Sequence, residues 1–274
     1  MTTLAEYAAS RELMANLTLR ELRAKYKRSL LGWAWSLLNP LATMLIFTLV
    51  FRFFLKIQAP RGEPSGLKNF AFYLMCGLLA WNYLVAGVMG SIGTLIGNAN
   101  LVKKTYFPRE LLIASLVASA VVSFLIELAL LAVALLVFGS VVLPFLPVVL
   151  LLVALLTLFA TGLGLAFSVL NVYFRDVQHL VNILFQVWFY LTPIVYPIDL
   201  VPQHAVIFGR NLPTRALLEP NPMVGFVESF RDLLYDLRTP PLGTLTYLLV
   251  VSTAVFGAGL YLFGRLEGRL AEEL

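Results

Sequence analysis

The sequence predicts an all-α integral membrane protein with six transmembrane helices, and three observations carry that expectation. Of the 274 residues 60% are hydrophobic and 13% charged, against about 25% charged in an ordinary soluble domain. Six apolar stretches approach the roughly 20 residues that cross about 30 Å of hydrocarbon. Lysine and arginine are also spread unevenly between the connecting segments, as in chains that insert with a preferred orientation.

The expected spans cover about 31–55, 70–97, 111–138, 147–170, 178–198 and 242–263, within a single transmembrane domain over 1–274. Before the fourth, Pro144 and Pro147 mark a turn and a helix start, because proline fits the first helical position where its missing N–H costs nothing. The fifth carries Pro193 and Pro197 and is expected to break before it has fully crossed. Residues 3–29 read as an N-terminal interfacial helix whose Arg20, Arg23, Lys25, Lys27 and Arg28 would meet anionic headgroups. The competing reading is a basic flank that only orients the first span. No cleavable signal peptide is expected, since the first long apolar run begins about 30 residues in. With both termini cytoplasmic, twelve basic residues fall inside and eight outside, which makes residues 98–110 cytoplasmic and places the chain in the plasma membrane.

Between the last two spans, residues 199–241 contain six prolines and one amphipathic pattern. Phe226, Phe230, Leu233 and Leu234 recur at helical spacing, with Glu228, Arg231 and Asp232 mostly off that face. Re-entrant helices at the outer surface are expected here, because irregular backbone at membrane depth survives only where protein or a wet cavity satisfies it. A plain extracellular loop is the alternative.

The chemistry within the chain is sparse. Two histidines and the single Cys76 make no metal site, and no nucleophilic triad is suggested. A phosphate-binding Gly-x-x-x-x-Gly-Lys-Ser/Thr loop is lacking, so the chain is not expected to bind ATP by that device. The chain is therefore not expected to be an enzyme, nor to bind nucleic acid. Glu127 lies mid-span, where an ionised carboxylate costs several kcal/mol. It reads either as a proton or substrate contact or as a carboxyl hydrogen-bonded to a neighbouring helix, with no basic residue deep in another span to pair with it. Ala86, Gly90, Gly93 and Gly97 form a small-residue stripe that packs within the subunit or across a dimer. Trp33, Trp35, Trp188, Phe189, Tyr190 and Tyr196 gather at the presumed borders. They serve as a depth-setting belt or, beside the fifth-span prolines, as stacking faces for sugar rings along a substrate path.

Residues 98–110 interrupt the apolar chain with two lysines and a Phe-Pro-Arg-Glu. Pro108 suits a helix start, Glu110 complements its positive end, and a short helix before it would present Leu101, Val102 and Tyr106. Five stretches in order then carry a resemblance: Tyr26-Lys-Arg-Ser-Leu-Leu-Gly-Trp-Ala-Trp-Ser-Leu-Leu-Asn-Pro40, Asn100-Leu-Val-Lys-Lys-Thr-Tyr-Phe-Pro-Arg-Glu110, Tyr173-Phe-Arg-Asp-Val-Gln-His179, Leu191-Thr-Pro-Ile-Val-Tyr-Pro197 and Asn221-Pro-Met-Val-Gly-Phe-Val-Glu-Ser-Phe-Arg231. The chain resembles, over nearly its whole length, the permease subunits of type-2 ABC exporters of the branch that moves lipid-linked polysaccharides such as O-antigen and teichoic acid. Alanine and serine stand at 114 and 115, where the family often has a proline.

That resemblance implies a homodimer bound to two copies of an ABC ATPase, with a lipid-linked glycan as substrate. It implies a cytoplasmic coupling helix whose ATPase contacts include Asn100, Leu101, Lys103, Lys104, Tyr106, Phe107, Pro108, Arg109 and Glu110, with Arg175 and Asp176 in a second loop. The first and fifth spans would enclose the glycan channel. Alternatives are a type-2 permease for a drug or plain lipid, an ATP-independent proton-coupled carrier or channel centred on Glu127, and a non-transporting membrane scaffold.

Overall fold

A computed structural model describes residues 4–26, 32–54, 56, 60–104, 107–207 and 210–274. The chain is helical through most of this length. Helix α1 (Leu4–Tyr26) is followed by a short turn and by α2 (Trp35–Phe47), which continues into a π-helical segment, Thr48–Phe54. Then come α3 (Phe70–Ile92), α4 (Thr94–Gly97), α5 (Ala99–Lys104), α6 (Glu110–Val137), α7 (Leu146–Tyr173) and α8 (Val177–Tyr190). A small antiparallel hairpin, β1 (Ala205–Ile207) with β2 (Arg210–Leu212), precedes α9 (Thr214–Leu218), α10 (Pro222–Arg231), α11 (Leu242–Leu266) and α12 (Leu270–Glu273). The described chain is otherwise helical, as expected, and this hairpin of two three-residue strands lies in the proline-punctuated segment where helical periodicity is weakest.

Among the described residues, four helical stretches are long and apolar enough to cross a membrane: Phe70–Ile92, Glu110–Val137, Leu143–Tyr173 and Leu242–Arg269. The first predicted span appears as the shorter apolar stretch Leu38–Phe54. The fifth is the 14-residue α8, about 21 Å long at 1.5 Å per residue. It is followed by a non-helical turn at Leu191–Pro197. The second predicted span also ends sooner than expected, because α3 stops at Ile92 and the chain turns at Gly93 into α4.

Helix α3 is the hub, with most of its side chains buried between α6, α7 and α10. Helices α7 and α11 meet backbone to backbone through glycines. A β-carbon on Gly162 would sit 2.6 Å from Phe256 Cα, and one on Gly259 would collide with the Gly162 carbonyl. This close approach is the small-residue device that membrane helices use where lipid offers no hydrophobic drive for association. The stripe predicted along the second span is divided in its use: Gly90 packs on Leu116 of α6, whereas Gly93 and Gly97 face open space.

Polar bonds gather at two ends of the bundle. At one end the Asn171 amide donates to the Ile92 carbonyl at 3.2 Å and its oxygen accepts from Gln178 N–H. Tyr173 Oη donates to the Leu266 carbonyl at 2.8 Å, and Arg109 Nη1 donates to that of Glu267 at 2.5 Å. At the other end Ser65 Oγ donates to the Tyr235 carbonyl at 2.6 Å, and Tyr235 Oη donates to those of Pro60 and Leu67. The 60–67 loop is thereby tied to the π-helical segment Asp232–Asp236 that continues α10.

Candidate functional site

The break after α8 frees carbonyls that a continuous helix would have used, since Pro193 and Pro197 have no N–H to donate and the chain turns away at Leu191. Arg231 satisfies them. Its Nη1 donates to the Pro193 carbonyl at 2.7 Å, and its Nη2 donates to that of Ile194 at 2.6 Å. Nη1 also meets Glu228 Oε1 at 2.7 Å, and the guanidinium lies 3.8 Å from the centre of the Tyr73 ring. The side chain is only 2% exposed. Sequence periodicity placed Arg231 and Asp232 off the buried face of α10. Both are buried: the opened backbone supplies acceptors for the guanidinium, and the Asp232 carboxylate is paired with Arg238 at 2.6 Å. Phe226, Phe230, Leu233 and Leu234 are buried as the spacing predicts. Gly77 of α3 lets α10 approach, as a β-carbon there would lie 2.8 Å from Val227 Cγ1.

Asn221 is a second tie. Its side chain caps α10 by accepting from Met223 N–H at 3.0 Å, as short polar side chains do at helix starts. The same oxygen accepts from Trp188 Nε1 at 2.8 Å, and its amide nitrogen donates to Thr192 Oγ1 at 3.1 Å. Trp188 therefore faces inward, among Trp81, Phe159 and Phe185, and its one polar atom is satisfied.

Helix α8 presents two distinct exposed faces. Leu180, Leu184, Val187 and Leu191 form an apolar one. Beside it His179, Asn182, Gln186 and Tyr190 are exposed at spacings of three and four, which aligns them along the helix. Asn182, Gln186 and Tyr190 line a cavity of about 420 Å³ whose other walls include Trp81, Phe185 and Phe189. Phe189 contacts Tyr190 at 5.3 Å and Trp81 at 5.6 Å between ring centres, and Tyr190 is 71% exposed. Amides beside aromatic faces suit ligands that offer both hydroxyls and apolar C–H surfaces, and polar side chains exposed on an apolar segment are costly in lipid unless they meet water, a partner or a ligand. Asn182 and Gln186 were not singled out in the sequence, although their i, i+4 spacing with Tyr190 was visible there.

At the opposite end, α5 exposes Asn100, Lys103 and Lys104, while Val102 is buried and Leu101 half-buried. Val102 is thus consumed inside the subunit rather than presented outward with the lysines, whereas Leu101 keeps part of its surface open. Helix α6 starts at Glu110, two residues beyond the predicted Pro108 start. Phe107 and Glu110 are half-buried, Pro108 is exposed, and Arg175 and Asp176 are exposed ahead of α8.

Residues 12–220 match the family model described as "ABC-2 type transporter". The chain belongs to the ABC-2 type transporter family. It is 32% identical to the O-antigen export system permease protein RfbA of Myxococcus xanthus, over 96% of each chain. It is 30% identical to the RfbA of Klebsiella pneumoniae, over 96% of this chain and 95% of that one. Identity to the Escherichia coli polysialic acid transport protein KpsM is 25% over 90% of each. Among the described residues of this ABC-2 transporter chain, no cluster of metal-binding side chains is present.

The remaining predicted positions are dispersed. Trp35 is exposed and lines a separate cavity with Lys25 and Glu127. Tyr196 Oη donates to the Tyr190 carbonyl at 2.8 Å, closing the turn after α8. Arg20 pairs with Glu21 at 2.7 Å and donates to Asn98 Oδ1 at 3.0 Å, and Arg23 is exposed beside it. Helix α1 packs its Leu17 and Leu22 inward, leaving Leu19 exposed. Lys27, Arg28, Tyr106 and the Trp33 side chain lie outside the described residues. Lys25 of α1, which lies outside the predicted spans, approaches this region from the N-terminal helix: its Nζ donates to Ser123 Oγ at 3.1 Å, one turn from Glu127 on α6.

Proposed function

We propose that this chain is the membrane-spanning subunit of an ATP-driven exporter that moves a lipid-linked polysaccharide across the plasma membrane. Two copies would assemble with two copies of a separate ABC ATPase, which holds the ATP and magnesium. The observation that carries the reading is the polar and aromatic stripe of α8, Asn182, Gln186 and Tyr190, on a segment otherwise suited to lipid. A glycan needs such a surface, while its lipid tail can remain in the bilayer. The names of the relatives, O-antigen and polysialic acid systems, support this cargo class over a drug or a plain lipid.

In this reading both termini are cytoplasmic, and α2 and α8 complete a set of six crossings with the four longer helices. Helix α1 rests at the inner interface. Two copies enclose the path with their α2 and α8 segments, which leave Leu45, Ile46, Ile183 and Leu184 uncovered in the isolated subunit. The α5 surface, with Asn100, Lys103 and Lys104, docks on the ATPase together with the Arg175 and Asp176 loop. Arg109 belongs to the subunit's own framework, because its guanidinium is bonded to the end of α11. The region 191–241 forms the outer re-entrant element, held in place by Arg231.

The test is reconstitution of the chain with its ATPase in proteoliposomes, followed by transfer of a lipid-linked glycan to the far leaflet. ATP-dependent transfer supports the assignment. ATPase binding without transfer of any glycan tested refutes the cargo class.

A further inference from the structure

A second cavity, of about 470 Å³, opens among α1, α2, α3 and α6. Its polar lining comes from Lys25, Asn39, Asn82, Ser123 and Glu127, and Trp35 supplies an aromatic wall. Asn82 lies near the middle of α3, and Glu127 well inside α6, far from either end of these membrane-length helices. Polar side chains at that depth are costly without water or a ligand. Here these two converge on one space with Lys25, Asn39 and Ser123, polar side chains from four helices in all. Val85 lines both this cavity and the one beside α8, so the two are neighbours across a single side chain.

The lining selects a ligand class. A simple anion would suit Lys25 and oppose Glu127, and a simple cation would do the reverse. Two carboxamides offer donors and acceptors together, and an exposed indole face can stack on C–H groups. A neutral polyhydroxylated ring uses all of these at once. We propose that this cavity is an intramembrane saccharide subsite, in which Asn39, Asn82 and Glu127 hydrogen-bond sugar hydroxyls and Trp35 stacks on the ring. The inference rests on the exporter reading for its cargo, and it adds a contact surface inside one subunit, apart from the α8 stripe.

The probes are octyl glucoside and octyl phosphocholine, alkyl chains of equal length with a sugar or a zwitterionic head, kept below their micelle-forming concentrations. The full chain in lipid nanodiscs is treated with dicyclohexylcarbodiimide, an apolar reagent for membrane-embedded carboxyls, and Glu127 labelling is followed by peptide mass spectrometry. Octyl glucoside is expected to slow labelling about threefold or more, the protection given by two-thirds occupancy, whereas octyl phosphocholine leaves it unchanged. Asn82→Leu, or Asn39→Ala where the former does not fold, should remove the protection while Glu127 still labels. Equal protection by both heads, stronger protection by phosphocholine, no protection, or no labelling each overturns the subsite. ATP-driven glycan transfer by the wild-type complex is measured in parallel. Its presence without glucoside protection removes the subsite alone, and its absence alongside protection removes the exporter reading alone.

Discussion

Arg231 Nη1 donates to the carbonyl oxygen of Pro193 at 2.7 Å, joining the end of α10 to the turn that interrupts the fifth apolar segment. The buried guanidinium fixes three elements together: α10, the 191–197 turn and, through the Tyr73 ring, α3. Removing it leaves the Pro193 and Ile194 carbonyls without their donor and the Glu228 carboxylate without its partner. Arg231→Met is therefore expected to lower stability by about 3–5 kcal/mol, read as a fall in the thermal midpoint of the detergent-purified protein. Arg231→Lys should recover only part of this, since a single ammonium cannot reproduce the fixed fork of the guanidinium.

The crossing of α7 and α11 gives a steric prediction. Gly162→Ala places a methyl 2.6 Å from the Phe256 backbone, and neither backbone can yield independently. A loss of about 1–3 kcal/mol is expected, with a larger loss for Gly259→Val. Gly264→Ala, on the same helix in open space, is the control and should be neutral.

Asp236 sets a pH dependence at the end of the π-helical segment that continues α10. Burial raises its carboxyl to about 6 from an ordinary 3.8, against the pull of Arg238 and reinforced by Asp232. A carboxyl whose folded value is raised favours the protonated folded state. Its stabilising contribution is therefore full below about 3.8 and is lost as pH rises through about 6. The side chain keeps 19% of its surface in water beside Arg238, and partial screening holds the effect to about 1–3 kcal/mol. The thermal midpoint of the wild type should fall between pH 5 and pH 7, and Asp236→Asn should flatten that slope.

On α8, Gln186→Leu replaces an exposed amide without touching the core. Folding should be unchanged, while ATP-driven glycan transfer should drop about five- to tenfold, the equivalent of losing one hydrogen bond of about 1 kcal/mol or slightly more. Leu249→Ala, on the exposed face of α11, should leave transfer close to wild type.

The apolar stretches and their prolines made the long helices legible, because length and periodicity are written locally. The buried face of α10 was readable for the same reason: Phe226, Phe230, Leu233 and Leu234 repeat at helical spacing. The burial of Arg231 was not readable, since its acceptors at 193 and 194 lie almost forty residues away and become available only after the fifth segment breaks. The proximity of Lys25 to Ser123 was hidden likewise, as α1 docks on α6 across about a hundred residues. Val102 and Arg109 looked like parts of a presented surface because they sit in a polar stretch. The fold spends one on the core and the other on the end of α11.

The most direct test of the account is ATP-dependent glycan transfer by proteoliposomes containing this chain and its ATPase, comparing wild type with Lys103→Glu/Lys104→Glu. These lysines are exposed on α5, so the double variant should fold and insert normally. The account predicts robust transfer by the wild type and a loss of about tenfold or more in the variant, as expected when opposed charges replace complementary ones at a docking surface. Transfer at the wild-type rate by the charge-reversed protein, or transfer that proceeds without ATP, would contradict it.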